Sequence, residues 1–127
     1  MLDTSVVVDL DGLDPERLPI EMAVSAITMA ELSAGPHAAA DVEERARRQD
    51  RLQRTEATFE PLPFDAEAAR SYGQIYAAVL AAGRKARGAR AVDLLIAATA
   101  HAAQLPLYTR NPSDFKALDQ LVEVVGI

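Results

Sequence analysis

The sequence contains no cysteine and no tryptophan, and only 5% of its residues are aromatic. The lack of cysteine excludes a disulfide framework, a thiolate nucleophile and a zinc site with cysteine ligands. No run approaches the roughly 18 apolar residues of a transmembrane helix, and no basic segment followed by an apolar one opens the chain as in a signal peptide. These absences predict a cytoplasmic protein without a membrane segment.

Positive charge is also scarce, because 13 Lys and Arg residues face 19 Asp and Glu residues and the formal net charge is -6. Binding to nucleic acid over a broad surface needs a basic footprint, so the composition argues against it. One short segment differs: residues 83–90 contain four cations and no acid, namely Arg84, Lys85, Arg87 and Arg90. These side chains are candidate contacts for phosphate groups.

What the chain has in abundance is apolar sequence with helical spacing. Its 127 residues are 50% hydrophobic and rich in alanine, which predicts one domain, residues 1–127, dominated by closely packed helices. Residues 91–103 form a helix-length apolar run with one carboxylate, Asp93. An isolated charge in a buried helix is costly. Asp93 therefore lies in the first turn, where the helix dipole favours an acid, or is neutralised by a partner such as a metal ion.

Strand and helix patterns alternate along the chain. Strands are predicted at residues 22–27, 60–64, 105–109 and 121–125, and helices at 28–34, 41–59, 66–82, 91–103 and 112–118. Asp65 is the expected cap of the third of these helices, whose apolar stripe includes Tyr72 and Tyr76. The alternation predicts a parallel sheet with right-handed crossovers and helices on both faces.

The opening residues allow two registers. In the first, a very short strand ends at Asp3 and Ser5 caps a helix. In the second, residues 6–8 form the strand, as their β-branched side chains favour, and Asp9 begins the following loop. The two registers place a different acid at the end of the first strand.

In the first register, four acids lie at the carboxyl edge of the sheet, where open parallel sheets bind ligands. They are Asp3, Glu31, Asp93 and Asp114. Each has a structural explanation, such as a capping box of Thr28 and Glu31. Together they would repel one another unless a cation joined them, and oxygen ligands suit Mg²⁺ or Mn²⁺. His37 and His101 are expected to be structural or solvated.

Four segments carry a resemblance to a known family. They are residues 2–7 (LDTSVV), 30–35 (AELSAG), 93–100 (DLLIAATA) and 109–115 (TRNPSDF), and the last two are specific in themselves. Jointly they resemble a PIN domain and, more narrowly, VapC, the ribonuclease toxins of type II toxin–antitoxin pairs. Only two residues precede Asp3, so the central strand is expected to be unusually short.

The resemblance implies an α/β/α sandwich around a parallel sheet of order 3-2-1-4-5, with the four acids as metal ligands. It implies Mg²⁺-dependent endonucleolytic cleavage of RNA by metal-activated water, a homodimer, and inhibition by a cognate antitoxin protein. Thr4, Ser5 and Asn111 would orient the carboxylates or the substrate phosphate. The four cations of residues 83–90 would contact RNA.

Two alternatives remain open. Residues 6–12 are similar to the first motif of haloacid-dehalogenase-type phosphatases, in which Asp9 would be a covalent nucleophile. That motif prefers Thr where Leu13 stands, and no obvious motif supplies the lysine such enzymes need. A binding module that keeps the PIN fold without activity is the other alternative, although the presence of all four acids argues against it.

Overall fold

The computed structural model describes residues 1–127, apart from the side chain of Ala89. The helices are α1 (Thr4–Val8), α2 (Ala26–Ala34), α3 (Val42–Thr58), α4 (Ala66–Ala81) and α5 (Ala89–Ala103), and the strands are β1 (Leu107–Thr109) and β2 (Val124–Gly126). Short 3₁₀ turns span Leu10–Gly12, Pro15–Arg17, Gly35–Ala38 and Pro112–Leu118. Among the described residues, no helix is both long and apolar enough to cross a membrane.

The sheet is parallel and has the expected order. β1 pairs with β2, and single-residue bridges extend the sheet on the other side of β1: Leu2 bridges Tyr108 and Val24, and Ser25 bridges Leu62. The five paired segments, numbered along the chain, contain Leu2, Val24 with Ser25, Leu62, β1 and β2. Their order across the sheet is 3-2-1-4-5. The predicted strand at residues 22–27 is too long, because α2 already begins at Ala26, where the Ser25 hydroxyl accepts a hydrogen bond from the Thr28 amide.

The structure settles the opening in favour of the first register. Asp3 precedes α1, and Val6 and Val7 are buried helical residues rather than a strand. Ser5 is not the cap that we expected, since α1 begins at Thr4 and includes Ser5. The β-branched residues are helical because burial against neighbouring elements outweighs their local preference for strands. Asp9 ends α1, its carboxylate 3.4 Å from the Arg110 guanidinium, and is not at a strand end.

Two apolar clusters lie on opposite faces of the sheet. Met1 and Leu107 belong to the cluster that contains α4 and α5, whereas Leu2 and Tyr108 belong to the cluster that contains α1 and α2. Successive residues of a strand point to opposite faces, which explains why chain neighbours separate in this way. The fold is thus the predicted three-layer α/β/α sandwich.

The long helices agree with their sequence signals, with a few corrections. Asp65 caps α4 through the Ala68 amide, as expected. Tyr76, assigned to the apolar stripe of α4, is 42% exposed. α5 begins at Ala89, earlier than predicted, so Asp93 lies in its second turn and not in its first. The helix dipole acts mainly on the first turn, so it does not by itself explain a carboxylate at Asp93.

Candidate functional site

Asp3 lies at the carboxyl end of the central strand segment and is only 4% exposed. Its backbone amide donates to the Tyr108 carbonyl, which holds it against β1. Its Oδ2 accepts hydrogen bonds from the hydroxyls of Ser5 at 2.7 Å and Thr109 at 2.8 Å. Burying a carboxyl group is costly unless hydrogen-bond donors satisfy its oxygens. The two hydroxyls therefore fix the orientation of the Asp3 side chain.

The same hydroxyls hold the loop that follows β1. The Arg110 amide donates to Ser5 Oγ, and the Asn111 amide donates to Thr109 Oγ1. Asn111, a predicted contact, thus takes part through its backbone, while its side chain is exposed. Sequence reasoning missed Thr109, because a threonine in a strand pattern is an ordinary β-former. The signal that could have found it is its place at the strand end, just before the Asn111 motif.

Glu31 is connected to α1 through Thr4. The Thr4 hydroxyl donates to Glu31 Oε1 at 2.6 Å and lies 2.9 Å from the Thr28 hydroxyl. Glu31 lies in the second turn of α2, so the expected capping box with Thr28 does not form and Ser25 provides the cap instead. The Thr4 hydroxyl therefore restricts the orientation of the Glu31 carboxylate.

Asp93 is the acid whose ionisation is most affected by its surroundings. Its pKa is raised from 3.8 to about 6, mainly by burial and then by the negative charges of Asp3, Asp114 and Glu31, while Arg90 opposes the shift. Like charges raise a carboxyl pKa only when they are close. The structure thus brings all four predicted acids to one edge of the sheet, which we call the acidic rim (Asp3, Glu31, Asp93 and Asp114).

Two of the predicted cations contact the loop that carries Asp114. Arg90 Nη1 donates to the Asp114 carbonyl at 2.8 Å, and Arg90 Nη2 lies 3.9 Å from the Asp114 carboxylate. Arg84 Nη1 donates to the Ser113 carbonyl at 3.3 Å. Lys85 and Arg87 are exposed. The basic segment therefore lies beside the acidic rim, and Arg84 and Arg90 link the two.

The donor set of the rim suits a hard divalent cation, because it consists of carboxylate oxygens that repel one another. Within the described residues, no three acid or histidine side chains form a compact ligand cage. The four acids thus match such an ion in donor chemistry and charge, although their side chains are not gathered into a cage around one point. His101 is not part of the site: its Nδ1 lies 2.8 Å from the Ser71 hydroxyl, in agreement with the structural role that we expected.

Replacing Thr109 by valine is expected to lower the free energy of unfolding by about 1–3 kcal/mol, because buried Asp3 loses one donor and the Asn111 amide loses its acceptor. Thr99→Val is the matched control: Thr99 is equally buried, but its hydroxyl donates to the Leu95 carbonyl within α5. Urea unfolding of both variants measures the difference. Equal losses would contradict the role assigned to the Thr109 hydroxyl.

Comparisons with known proteins agree with this architecture. The PIN domain family matches residues 1–121. The chain is 37% identical over 127 residues to "Ribonuclease VapC5" of Mycobacterium tuberculosis, and the match covers 98% of this chain and 90% of that protein.

Solved structures are similar as well. A member of the VapBC family of toxin–antitoxin systems, VapBC-5 from Mycobacterium tuberculosis, superposes with a TM-score of 0.86 at 38% identity, covering 99% of this chain and 96% of that one. FitAcB from Neisseria gonorrhoeae superposes with a TM-score of 0.70 at 31% identity, covering 98% and 94%. Sequence, sheet order and the acidic rim all lead to one conclusion: the chain belongs to the PIN domain family and, within it, to the VapC-type proteins.

Proposed function

We propose that this chain is the toxin of a type II toxin–antitoxin pair and that it cleaves RNA phosphodiesters as a Mg²⁺-dependent endoribonuclease. The observation that carries the proposal is geometric: the Ser5 and Thr109 hydroxyls hold Asp3 at the end of the central strand segment, and the Thr4 hydroxyl of the adjoining α1 binds Glu31. The pKa of Asp93, which the negative charges of Asp3, Asp114 and Glu31 help to raise, supports it. The 37% identity to a protein named a ribonuclease supports the same activity. No protein nucleophile is required, which agrees with the lack of cysteine.

In this proposal Asp3, Glu31, Asp93 and Asp114 hold the divalent ion. When bound, the ion lowers the pKa of water and stabilises charge that develops on phosphate oxygens. The chain's own contribution is orientation: Ser5 and Thr109 position Asp3, and Thr4 positions Glu31. Hydrogen bonds that hold a metal ligand in place fix its orientation and affect its affinity for the ion.

Asp93 and Arg90 contribute through charge. The carboxyl of Asp93, with a pKa of about 6, is largely ionised at neutral pH, so it can act as a ligand there. Arg90 is held by the Asp114 carbonyl, where its guanidinium offsets part of the rim's negative charge and remains near an incoming phosphate. The rim therefore combines acids for a cation with a neighbouring cation for the substrate.

The partners that we propose follow from the related structures. The VapBC-5 structure is described as a toxin–antitoxin system, so we propose that a cognate antitoxin protein binds and inhibits this chain. We also propose that the chain forms a homodimer, as the resemblance to VapC toxins implies. The phosphatase alternative is not retained, because residues 6–8 are helical and Asp9 does not follow a strand.

The direct test is cleavage of RNA by the purified full chain with and without divalent metal. We expect cleavage in Mg²⁺ or Mn²⁺, loss of cleavage in excess EDTA, and recovery when Mg²⁺ is added beyond the chelator, because carboxylates alone do not activate water. Gel analysis of an end-labelled RNA measures all three. Undiminished cleavage in EDTA would exclude the mechanism, and no cleavage under any metal condition would favour the inactive binding module.

A further inference from the structure

A groove at the end of α4 combines exposed apolar side chains with cations. Its lining consists of Tyr76, Leu80, Arg84, Lys85, Ala86 and Arg87, and we call it the α4 groove. Tyr76 is 42% exposed and Leu80 is 52% exposed, although both lie on a helix whose opposite face is in the core. The groove therefore places an exposed aromatic ring beside three cations.

The ring of Tyr76 is supported on the protein side. Its centroid lies 6.1 Å from that of Tyr72, with a tilt of 52° between the rings, and Tyr72 packs against the core. Because Tyr72 already restricts the Tyr76 ring, a ligand that stacks on the exposed part of this ring loses little binding free energy to ordering the side chain. Tyr76 is thus suited to contact a flat apolar group, such as a nucleic-acid base.

The charge of the groove favours an anionic occupant. Arg84, Lys85 and Arg87 contribute three cations on a chain whose formal net charge is -6, so positive potential is concentrated at this place. Exposed arginine and lysine next to an aromatic platform are typical of surfaces that bind single-stranded nucleic acid, in which bases stack and phosphates contact the cations. A second protein copy would instead have to bury these cations together.

The α4 groove is connected to the acidic rim. Arg84 lines the groove and also donates to the Ser113 carbonyl, next to Asp114. A nucleic-acid strand with a phosphate at the rim would therefore meet Arg84 on its way to the groove. Arg84 thus joins the groove to the loop that carries Asp114.

We propose that the α4 groove holds a single-stranded segment of the RNA substrate, with one base stacked on Tyr76 and backbone phosphates on Lys85 and Arg87. The proposal rests on the proposed ribonuclease function and adds the place where the RNA strand runs beyond the scissile phosphate. Stacking accepts every base, so this contact contributes affinity and direction of the strand.

The test is binding of a fluorescent single-stranded RNA of about 12 nucleotides to the full chain carrying Asp93→Asn, so that cleavage does not interfere. In this background, Tyr76→Leu is expected to weaken binding by at least about fivefold, and Tyr76→Phe by less than about twofold, because phenylalanine keeps the stacking face. Leucine keeps the helix and the apolar surface, so folding is retained.

A second probe separates stacking from indirect effects. With an oligonucleotide of the same length that lacks its bases, native Tyr76 and Tyr76→Leu should bind equally. Replacing Lys85 and Arg87 together by glutamine should flatten the log–log salt dependence of RNA binding by about 1.4 units. Arg70→Gln is the control: Arg70 lies on α4 outside the groove, where it pairs with Glu67, and its replacement should leave the slope unchanged.

Three results would overturn the proposal. They are an unchanged affinity of Tyr76→Leu for RNA, an equal loss on the probe without bases, and a smaller molar mass of Tyr76→Leu in light scattering, which would assign the groove to a second copy. The cleavage assay with the native chain keeps the two proposals apart. Metal-dependent cleavage by the native chain, together with no effect of Tyr76→Leu on RNA binding, rejects the groove proposal alone. Base-dependent RNA binding without cleavage rejects the ribonuclease function alone.

Discussion

Asp93→Asn is expected to lower RNA cleavage by at least about 10- to 100-fold, and Asp3→Asn by a similar factor, because each removes a charge that a divalent ion requires. Losses of this size are typical even for groups that only support a metal ligand. Asparagine keeps the shape of the side chain, so the change reports on charge. Initial rates on a defined RNA at fixed Mg²⁺ measure the effect.

Asp9→Asn is the matched control. Asp9 ends α1, and its carboxylate faces Arg110 at 3.4 Å in an exposed ion pair. Such a pair contributes little to stability, so cleavage should stay within about twofold of the native rate. A fully active Asp3→Asn protein would reject our assignment of the rim.

Folding can be checked in the same proteins. Asp93→Asn removes a half-buried charge that its neighbours repel, so the variant without metal should be at least as stable as the native chain at neutral pH. Lost activity together with retained or increased stability would locate the defect in the chemistry of the rim. Lost activity with reduced stability would point to misfolding and contradict the electrostatic explanation.

Below about pH 6, activity and stability should change in opposite directions, because the pKa of Asp93 is raised from 3.8 to about 6. A carboxyl whose pKa is higher in the folded than in the unfolded state binds its proton more tightly when folded. The free energy of unfolding without metal should therefore fall as pH rises from about 4 to 6. The full shift corresponds to about 3 kcal/mol, and solvent around the half-exposed group reduces this to about 1 kcal/mol.

Activity should follow the ionised fraction of Asp93. At limiting Mg²⁺, cleavage should be about tenfold lower at pH 5 than on the plateau above pH 7, since about one carboxyl in eleven is ionised one unit below its pKa. Rates across this range and thermal unfolding of the native chain measure both trends. The stability trend should disappear in Asp93→Asn, and its persistence there would assign it to another group.

Much of this architecture could be predicted from local sequence signals. The cap Asp65 and the apolar spacing that follows it predicted α4, and Asp65 binds the expected backbone amide. The charged pattern of residues 41–59 predicted α3, which spans Val42–Thr58. A cap and a helical stripe act over a few residues, so the sequence alone determines them. The candidate acids were predicted in the same way, from their positions next to strand ends and helix starts.

Strand lengths and the opening register depended on tertiary structure. Residues 6–8 prefer a strand locally, yet they form part of α1 because Val6 and Val7 are buried there against the sheet. Burial against distant elements stabilises a conformation more than a single residue's propensity does. Strand lengths were overestimated for a related reason: α2 begins as soon as Ser25 caps it.

Contacts between distant residues were also beyond local reasoning. Thr109 reaches Asp3 across 106 residues of sequence, and this contact forms only when β1 lies beside the central segment. Tyr76 has the spacing of a core residue but is exposed, because α4 packs with a face centred on Ile75 and Val79. The sequence by itself determined the helices, the order of the elements and the acids available for chemistry. Only the tertiary structure decided which hydroxyls hold those acids and which aromatic side chain remains accessible, because both depend on packing between elements far apart in the chain.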